Sequence, residues 1–369
     1  MSISQIEIQI IAVLVSISCA ILGVFLVLRK TAMISDAISH SILPGIVIGF
    51  FITEDLQSPL LIILAAFTGM LTVFLVAWLI RTNLVKEDTS IGIVFPVLCS
   101  IGIILITQKA SDIHLDTDVV LLGELAFAPF NLLFINDIDL GPKAIWVMGG
   151  IFLILISLLA LFYKELKLST FDAGLATTLG FSPLLIHYSI MLLSSITIVG
   201  AFDAVGSILV VGLIIVPAGI AYLLSYKLKN MLIISVLSAG VCAILGYWLA
   251  HILNTSIAGS IIAVLGFVFL IAYLFSPLEG RITRKIRHRQ QSKEISLLTL
   301  LIHLQSHQEK SERRVSHLQE HINWSAEKAN RILKVATQKG FINISEGLID
   351  ITTEGINFSI RRIEYYLKK

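Results

Sequence analysis

The stretch MISDAISHSILPGIVIGF, residues 33–50, carries a carboxylate and an imidazole four positions apart within an apolar run: Asp36 and His40. On an α-helix this spacing puts both side chains on one face, where they can reach a common point. An ionised carboxylate at the centre of a membrane-crossing helix costs ~2.5–3.5 kcal/mol on insertion scales, so it should face a polar cavity or a partner. Carboxylate plus imidazole, with no thiolate nearby, suits a first-row divalent cation rather than a softer ion. The spacing equally allows an internal Asp–His hydrogen bond that only holds helices together. Ala32, Ser35, Ala37, Ser39 and Ser41 are small and permit close helix packing. Pro44-Gly45 is then expected to kink or interrupt the helix, as in segments that line transport pathways.

The elements that position this pair follow from composition. Of the 369 residues, 56% are hydrophobic and 14% charged, and mean hydropathy is +0.90. That excludes an ordinary soluble domain. The fold class expected is an all-α polytopic membrane protein with a small C-terminal α+β winged-helix domain. Apolar runs long enough to cross a ~30 Å hydrocarbon core fall near 7–28, 33–52, 59–80, 90–107, 144–163, 184–202, 204–224, 231–250 and 255–276. No small-residue cleavage site follows the first run, so it reads as a retained helix rather than a signal peptide. Cys19, Cys99 and Cys242 sit in different runs without CxxC spacing and read as buried apolar residues. His187 and His251 stand where runs begin or end and read as interfacial.

Basic residues orient the chain. Arg29/Lys30, Arg81/Lys86, Lys164/Lys167 and Lys227/Lys229 share one side if the runs alternate. The N-terminus is therefore expected outside and the C-terminal domain in the cytoplasm. The opposite loop is acidic, and "SDIHLDTDVVLLGE" gathers His114, Asp116, Asp118 and Glu124. These form either an outer vestibule that concentrates cations or a solvated acidic loop. Asp203, in "VGAFDAVG", is expected at a turn between two apolar helices, as a pathway acid or a cap of the next helix.

Charge changes sign after "YLFSPLEG". Residues 1–280 balance at −6 and residues 281–369 at +8. The expected domains are a transmembrane part (1–280), a basic juxtamembrane linker (281–292) suited to anionic lipid, and a cytoplasmic domain (293–369). In the last, "EISLLTLLIHLQSH", "RRVSHLQEHI" and "NWSAEKANRILKVATQKG" read as helices. Ser325 is the expected N-cap of the third, with Glu327 in its first turn and Gly340 as its stop. "FINIS" and "LIDIT" read as a hairpin, and "TEGINFSIRRIEYYLKK" as a closing helix. Three helices and a β-wing resemble a winged helix-turn-helix of the DtxR- or MarR-like type. In that fold the third helix enters the DNA major groove, here presenting Lys328, Arg331, Lys334 and Lys339. The alternative is a protein-docking or dimerisation module.

"LRKTAMISDAISHSILPGIVIGF" resembles the signature of the ABC-3 family of metal-ion permeases. "RTNLVKEDTSIGIVFP", "HLDTDVVLLGELAFAP", "YKELKLSTFDAGLATTLGFSP", "AFDAVGSILVVGLIIVPAGIAYLL" and "LNTSIAGSIIAVLGFVFLIAYLFSP" follow in the family's order. The resemblance covers about 1–280 and is closest to the manganese/zinc/iron branch; the basic tail departs from the ordinary pattern. It implies a subunit of an ATP-driven importer in the bacterial cytoplasmic (inner) membrane, with transported manganese, zinc or iron and no permanently bound cofactor. It also implies an extracytoplasmic metal-binding protein and a dimer with a second copy or a closely related permease. No GxxxxGK[ST] loop is present, so the resemblance requires a separate ATPase subunit and makes this chain a transporter rather than an enzyme. The family's coupling helix matches "YKELKLSTFDAGLATTLG", with Lys164, Glu165, Asp172 and Gly180; an ordinary interfacial helix is the alternative. A proton-coupled secondary transporter and a membrane-anchored, metal-responsive transcriptional regulator are the competing readings.

Overall fold

The computed structural model describes residues 3–54, 58–109, 125–135, 138–278, 280–306, 313–314, 324–345 and 347–367. The chain divides into two compact units, 1–280 and 281–369.

The first unit opens with α1 (Ile3–Leu28) and then the pair α2 (Met33–Ser41) and α3 (Leu43–Thr53). After α4 (Pro59–Arg81) and α5 (Glu87–Lys109) comes a hairpin, β1 (Leu132–Ile135) and β2 (Ile138–Pro142). The chain continues through α6 (Lys143–Leu161) and the short helices α7 (Tyr163–Phe171) and α8 (Ala173–Thr178). Four long helices complete the unit: α9 (Pro183–Val205), α10 (Ser207–Leu224), α11 (Leu228–Leu253) and α12 (Ile257–Phe275). Among the described residues nine segments are long and apolar enough to cross a membrane, α2 and α3 counting as one. That agrees in number with the apolar runs of the sequence.

Local chemistry sets several helix ends. Ser58 accepts from the Leu60 N–H and Ser182 from the Leu185 N–H, each followed by a proline at the first helical position. Pro44 has the predicted effect: the helix breaks at Ile42, and Pro44 sits in the first turn of α3.

α1 runs through the middle of the bundle; 72% of its apolar window is buried, against 11% for α6. Lipid tails are as apolar as leucine, so the helices associate through close packing and polar bridges. Gly23 of α1 meets α10 so closely that an added β-carbon would lie 1.9 Å from the Ile214 carbonyl oxygen. Gly246 of α11 meets α12 likewise, with an added β-carbon 2.5 Å from the Ile261 Cα. Ser195 Oγ donates to the Ala66 carbonyl (3.0 Å), joining α9 to α4, and Ser235 Oγ donates to the Ala20 carbonyl (3.1 Å), joining α11 to α1.

Two features differ from the sequence reading. The β1–β2 hairpin stands within the acidic loop of the sequence reading, so the unit is not purely helical. Its strands are four and five residues long, too short to register against a membrane-length window. Asp203 lies in the last turn of α9 rather than in a turn, and Gly206 is the N-cap of α10. The break needs only Gly206, whose φ of +79° glycine adopts without a β-carbon penalty.

The second unit contains α13 (Arg281–Ser306), α14 (Ala326–Gln338), the hairpin β3 (Ile342–Ser345) and β4 (Leu348–Ile351), and α15 (Thr353–Leu367). Ser325 accepts from the Lys328 N–H, Glu327 lies in the first turn, and Gly340 follows in the left-handed region. The basic stretch 281–292 is helical and continuous with the core-forming part of α13. The expected helix in "RRVSHLQEHI" lies outside the described residues beyond Arg314. Arg314 bridges to Leu348, and the Arg313 carbonyl accepts from the Ile349 N–H (3.0 Å). Leu297, Leu300, Leu301 and Leu304 of α13 pack with Ile332, Leu333, Ile342 and Ile349. Phe341 stacks on Phe358 with ring centroids 4.7 Å apart.

Candidate functional site

Asp36 and His40 share the outward face of α2. His40 Nε2 lies 3.6 Å from Asp36 Oδ1, and the two side chains are 38% and 40% exposed in turn. This distance is beyond a hydrogen bond but within ion-pair range, so the geometry admits both an internal Asp–His contact and a shared ion. It suits a shared cation: bonds of ~2.1 Å to both atoms would subtend about 120° at the ion. Ser35, Ala37, Ser39 and Ser41 are buried on the packed faces of the same helix. Ser41 Oγ meets Thr72 Oγ1 of α4 at 2.5 Å, and the His40 ring approaches Phe95 of α5 with centroids 5.9 Å apart. The small residues thus hold α2 against α4 while acid and imidazole stay accessible.

Two side chains do not complete a coordination shell. Among the described residues no group of three or more His, Cys, Asp or Glu gathers at one point. His114, Asp116, Asp118 and Glu124 lie outside the described residues. Asp203 is on α9. A cavity of about 700 Å³ lies elsewhere, at the end where α1 begins, lined by Ile8, Gly206, Ser207, Tyr247, His251 and Asn254. The His251 ring stacks on Tyr247 there (6.4 Å, 3°).

The 164–180 segment folds as α7 and α8, hinged at Asp172. Its carboxylate caps α8 by accepting the Leu175 N–H (2.9 Å), and Gly180 ends the segment at φ +87°. Lys164 and Lys167 are exposed, as are Phe171, Leu175 and Leu179. Glu165 has a carboxylate oxygen that is buried without a hydrogen-bond partner among the described residues. Sequence reasoning missed Arg29, counting it only as an orienting charge. Its guanidinium donates to Ser169 Oγ (2.6 Å) and Thr170 Oγ1 (3.3 Å). Burial pushes its pKa below the ordinary arginine value. The one available signal was two hydroxyls side by side in "KLST"; a contact 140 residues away leaves no local period.

On α14, Lys328 and Lys334 are exposed, as is Lys339 at its C-terminal cap. Arg331 is exposed too but engaged with Glu327 at 2.9 Å.

A family model described as the ABC 3 transport family matches residues 5–276. The chain belongs to the ABC 3 transport family. It is a multi-pass membrane protein with nine candidate spans among its described residues. It is 42% identical over 362 residues to the zinc transport system membrane protein TroD of Treponema pallidum (strain Nichols), covering 97% of this chain and 98% of the relative. It is 44% identical over 282 residues to the manganese transport system membrane protein MntD of Bacillus subtilis (strain 168), covering 76% of this chain and 95% of the relative. In structure, this ABC 3 transport chain is similar to PsaBC from Streptococcus pneumoniae, solved in complex with Fab: TM-score 0.63, 28% identity, 75% of this chain and 94% of that one. The likeness to the treponemal protein runs through the tail, whereas the family model ends before it.

Proposed function

We propose that this chain is the membrane-spanning permease subunit of an ATP-driven importer for manganese, zinc or iron. One observation carries the reading: a carboxylate and an imidazole, 3.6 Å apart and accessible, stand on a membrane helix broken within the same span. Relatives named for zinc and manganese transport support it. In this reading the N-terminus is outside, the second unit is cytoplasmic, and the protein sits in the cytoplasmic membrane. A metal-binding protein delivers the ion to a vestibule of His114, Asp116, Asp118 and Glu124. The ion then passes Asp36 and His40, with Asp203 a further pathway acid, along a path completed by a second copy or a related permease. A separate ATPase docks on 164–180, where Lys164, Lys167, Phe171, Leu175 and Leu179 are exposed. The second unit is a winged-helix domain whose α14 reads DNA, and its basic helical start meets anionic lipid.

The test is uptake of radioactive manganese or zinc by membrane vesicles carrying the chain with its ATPase partner. ATP-dependent uptake that vanadate blocks is the expected result. Uptake that follows a proton gradient and ignores vanadate would instead establish a secondary transporter.

A further inference from the structure

Arg29 stands between the two parts of the proposed machine. It leaves α1 at Leu28, and a turn held by Lys30 N–H to the Val27 carbonyl and Thr31 N–H to the Leu26 carbonyl follows. Lys30 adopts the left-handed region (φ 62°), which reverses the chain sharply. α2 then begins at Met33 with Asp36 in its first turn. Arg29 is thus joined to Asp36 by one tight turn and the first turn of α2. On its other side Arg29 donates to Ser169 and Thr170 of α7. Thr170 Oγ1 in turn donates to the Leu166 carbonyl (2.6 Å), which fixes its lone pairs toward the guanidinium.

Glu165 supplies a second arrangement. It lies one turn before Ser169 and so on the same face of α7, and its buried Oε2 has no partner among the described residues. A guanidinium pairs more strongly with a carboxylate than with two hydroxyls, yet Arg29 here takes the hydroxyls. A shift of α7 by about one helical turn, ~5.4 Å, exchanges one set of acceptors for the other. Two discrete sets of partners would make the contact bistable, the property that lets a small movement be transmitted rather than absorbed.

We propose that Arg29 is a positioning residue that couples movement of the 163–178 segment to the Asp36–His40 helix, trading Ser169 and Thr170 for Glu165 as the segment moves. This inference rests on the reading that 164–180 docks an ATPase. It is tested on the full chain reconstituted in proteoliposomes with the ATPase and the metal-binding protein. ATP hydrolysis, metal uptake and ATPase cross-linking to a cysteine at Leu175 are measured separately. R29Q is expected to keep the cross-link and hydrolyse ATP, while ions moved per ATP fall about tenfold. R29K keeps the charge but cannot fork across two acceptors, and is expected to fall between. E165Q should lower the ratio as well, and the pair R29E/E165R should recover part of what R29E loses, since the interaction is mutual. An unchanged ratio in R29Q and R29K overturns the proposal. So does a parallel loss of hydrolysis and uptake, which would make Arg29 an anchor for docking only. Failure of the unsubstituted chain to cross-link any ATPase at Leu175 overturns the docking reading first, before any variant of Arg29 is compared.

Discussion

At the scale of single residues, Asp36 and His40 are the pair on which the proposed ion path depends. Their 3.6 Å separation leaves each without the other as a hydrogen-bond partner. Both side chains stay accessible, as the proposed passage of an ion requires. Asp36→Asn and His40→Ala are each expected to lower metal uptake by about tenfold or more, the loss typical when a metal-binding partner is removed, while the chain stays in the membrane at normal level. Uptake assays paired with immunodetection check this; normal transport in both variants would make the pair structural. This pair was legible in the sequence because an i,i+4 spacing is a statement about a helix face and needs no tertiary information. Arg29 was not, because its partners are Ser169 and Thr170, which only the folded bundle brings within reach. Asp203 was misplaced for a related reason: a lone acid between apolar runs suggests a turn, yet one glycine sufficed to make it.

At the scale of elements the apolar runs announced the long helices, and Pro44 announced the break between α2 and α3. The β1–β2 hairpin went unread because its apolar strands are short and lie in an otherwise polar loop. How the helices approach one another was also hidden, since a glycine in an apolar run looks the same whether or not a neighbour touches it. Gly23 and Gly150 make the contrast testable. At Gly23 a β-carbon meets the backbone of α10, whereas nothing lies within 4 Å of one at Gly150. Backbone cannot rotate away as a side chain can, so Gly23→Ala is expected to destabilise the bundle by about 1–3 kcal/mol. Gly150→Ala should be neutral or stabilising by up to about 1 kcal/mol through helix propensity. Thermal unfolding in detergent compares them, and equal midpoints would remove the close crossing from the account. The 164–180 segment makes a separate prediction. Cysteines at Phe171, Leu175 and Leu179, whose apolar side chains are exposed, should trap the ATPase subunit. Trapping at the loops around Arg81 or Lys227 instead would move the docking surface there.

At the scale of the whole molecule the chain joins an apolar unit of balance −6 to a basic unit of balance +8, and transport should need only the first. A chain ending at Gly280 is expected to retain metal uptake, measured in the same vesicles; loss of transport would tie the tail to the cycle. The second unit tests the winged-helix proposal. A fragment should begin at Arg281, because α13 is one helix from Arg281 to Ser306 and supplies Leu297, Leu300, Leu301 and Leu304 to the core. With that core intact, the fragment 281–369 should unfold cooperatively. In this fragment Arg281, Arg284 and Lys285 at the start of α13 should add general, salt-dependent affinity. If α14 is the reading helix, log K for duplex DNA should fall linearly with log salt, with a slope of about −0.9 per phosphate neutralised. Lys328→Ala and Lys334→Ala should each make that slope shallower by about 1. Arg331→Ala should matter less, because Arg331 already pairs with Glu327 at 2.9 Å and must give up that bond to reach a phosphate. Fluorescence anisotropy with DNA from upstream of the chain's own reading frame, with and without manganese or zinc, measures all three. A fragment that folds but binds no DNA even at low salt would assign α14 and its basic face to a protein partner instead.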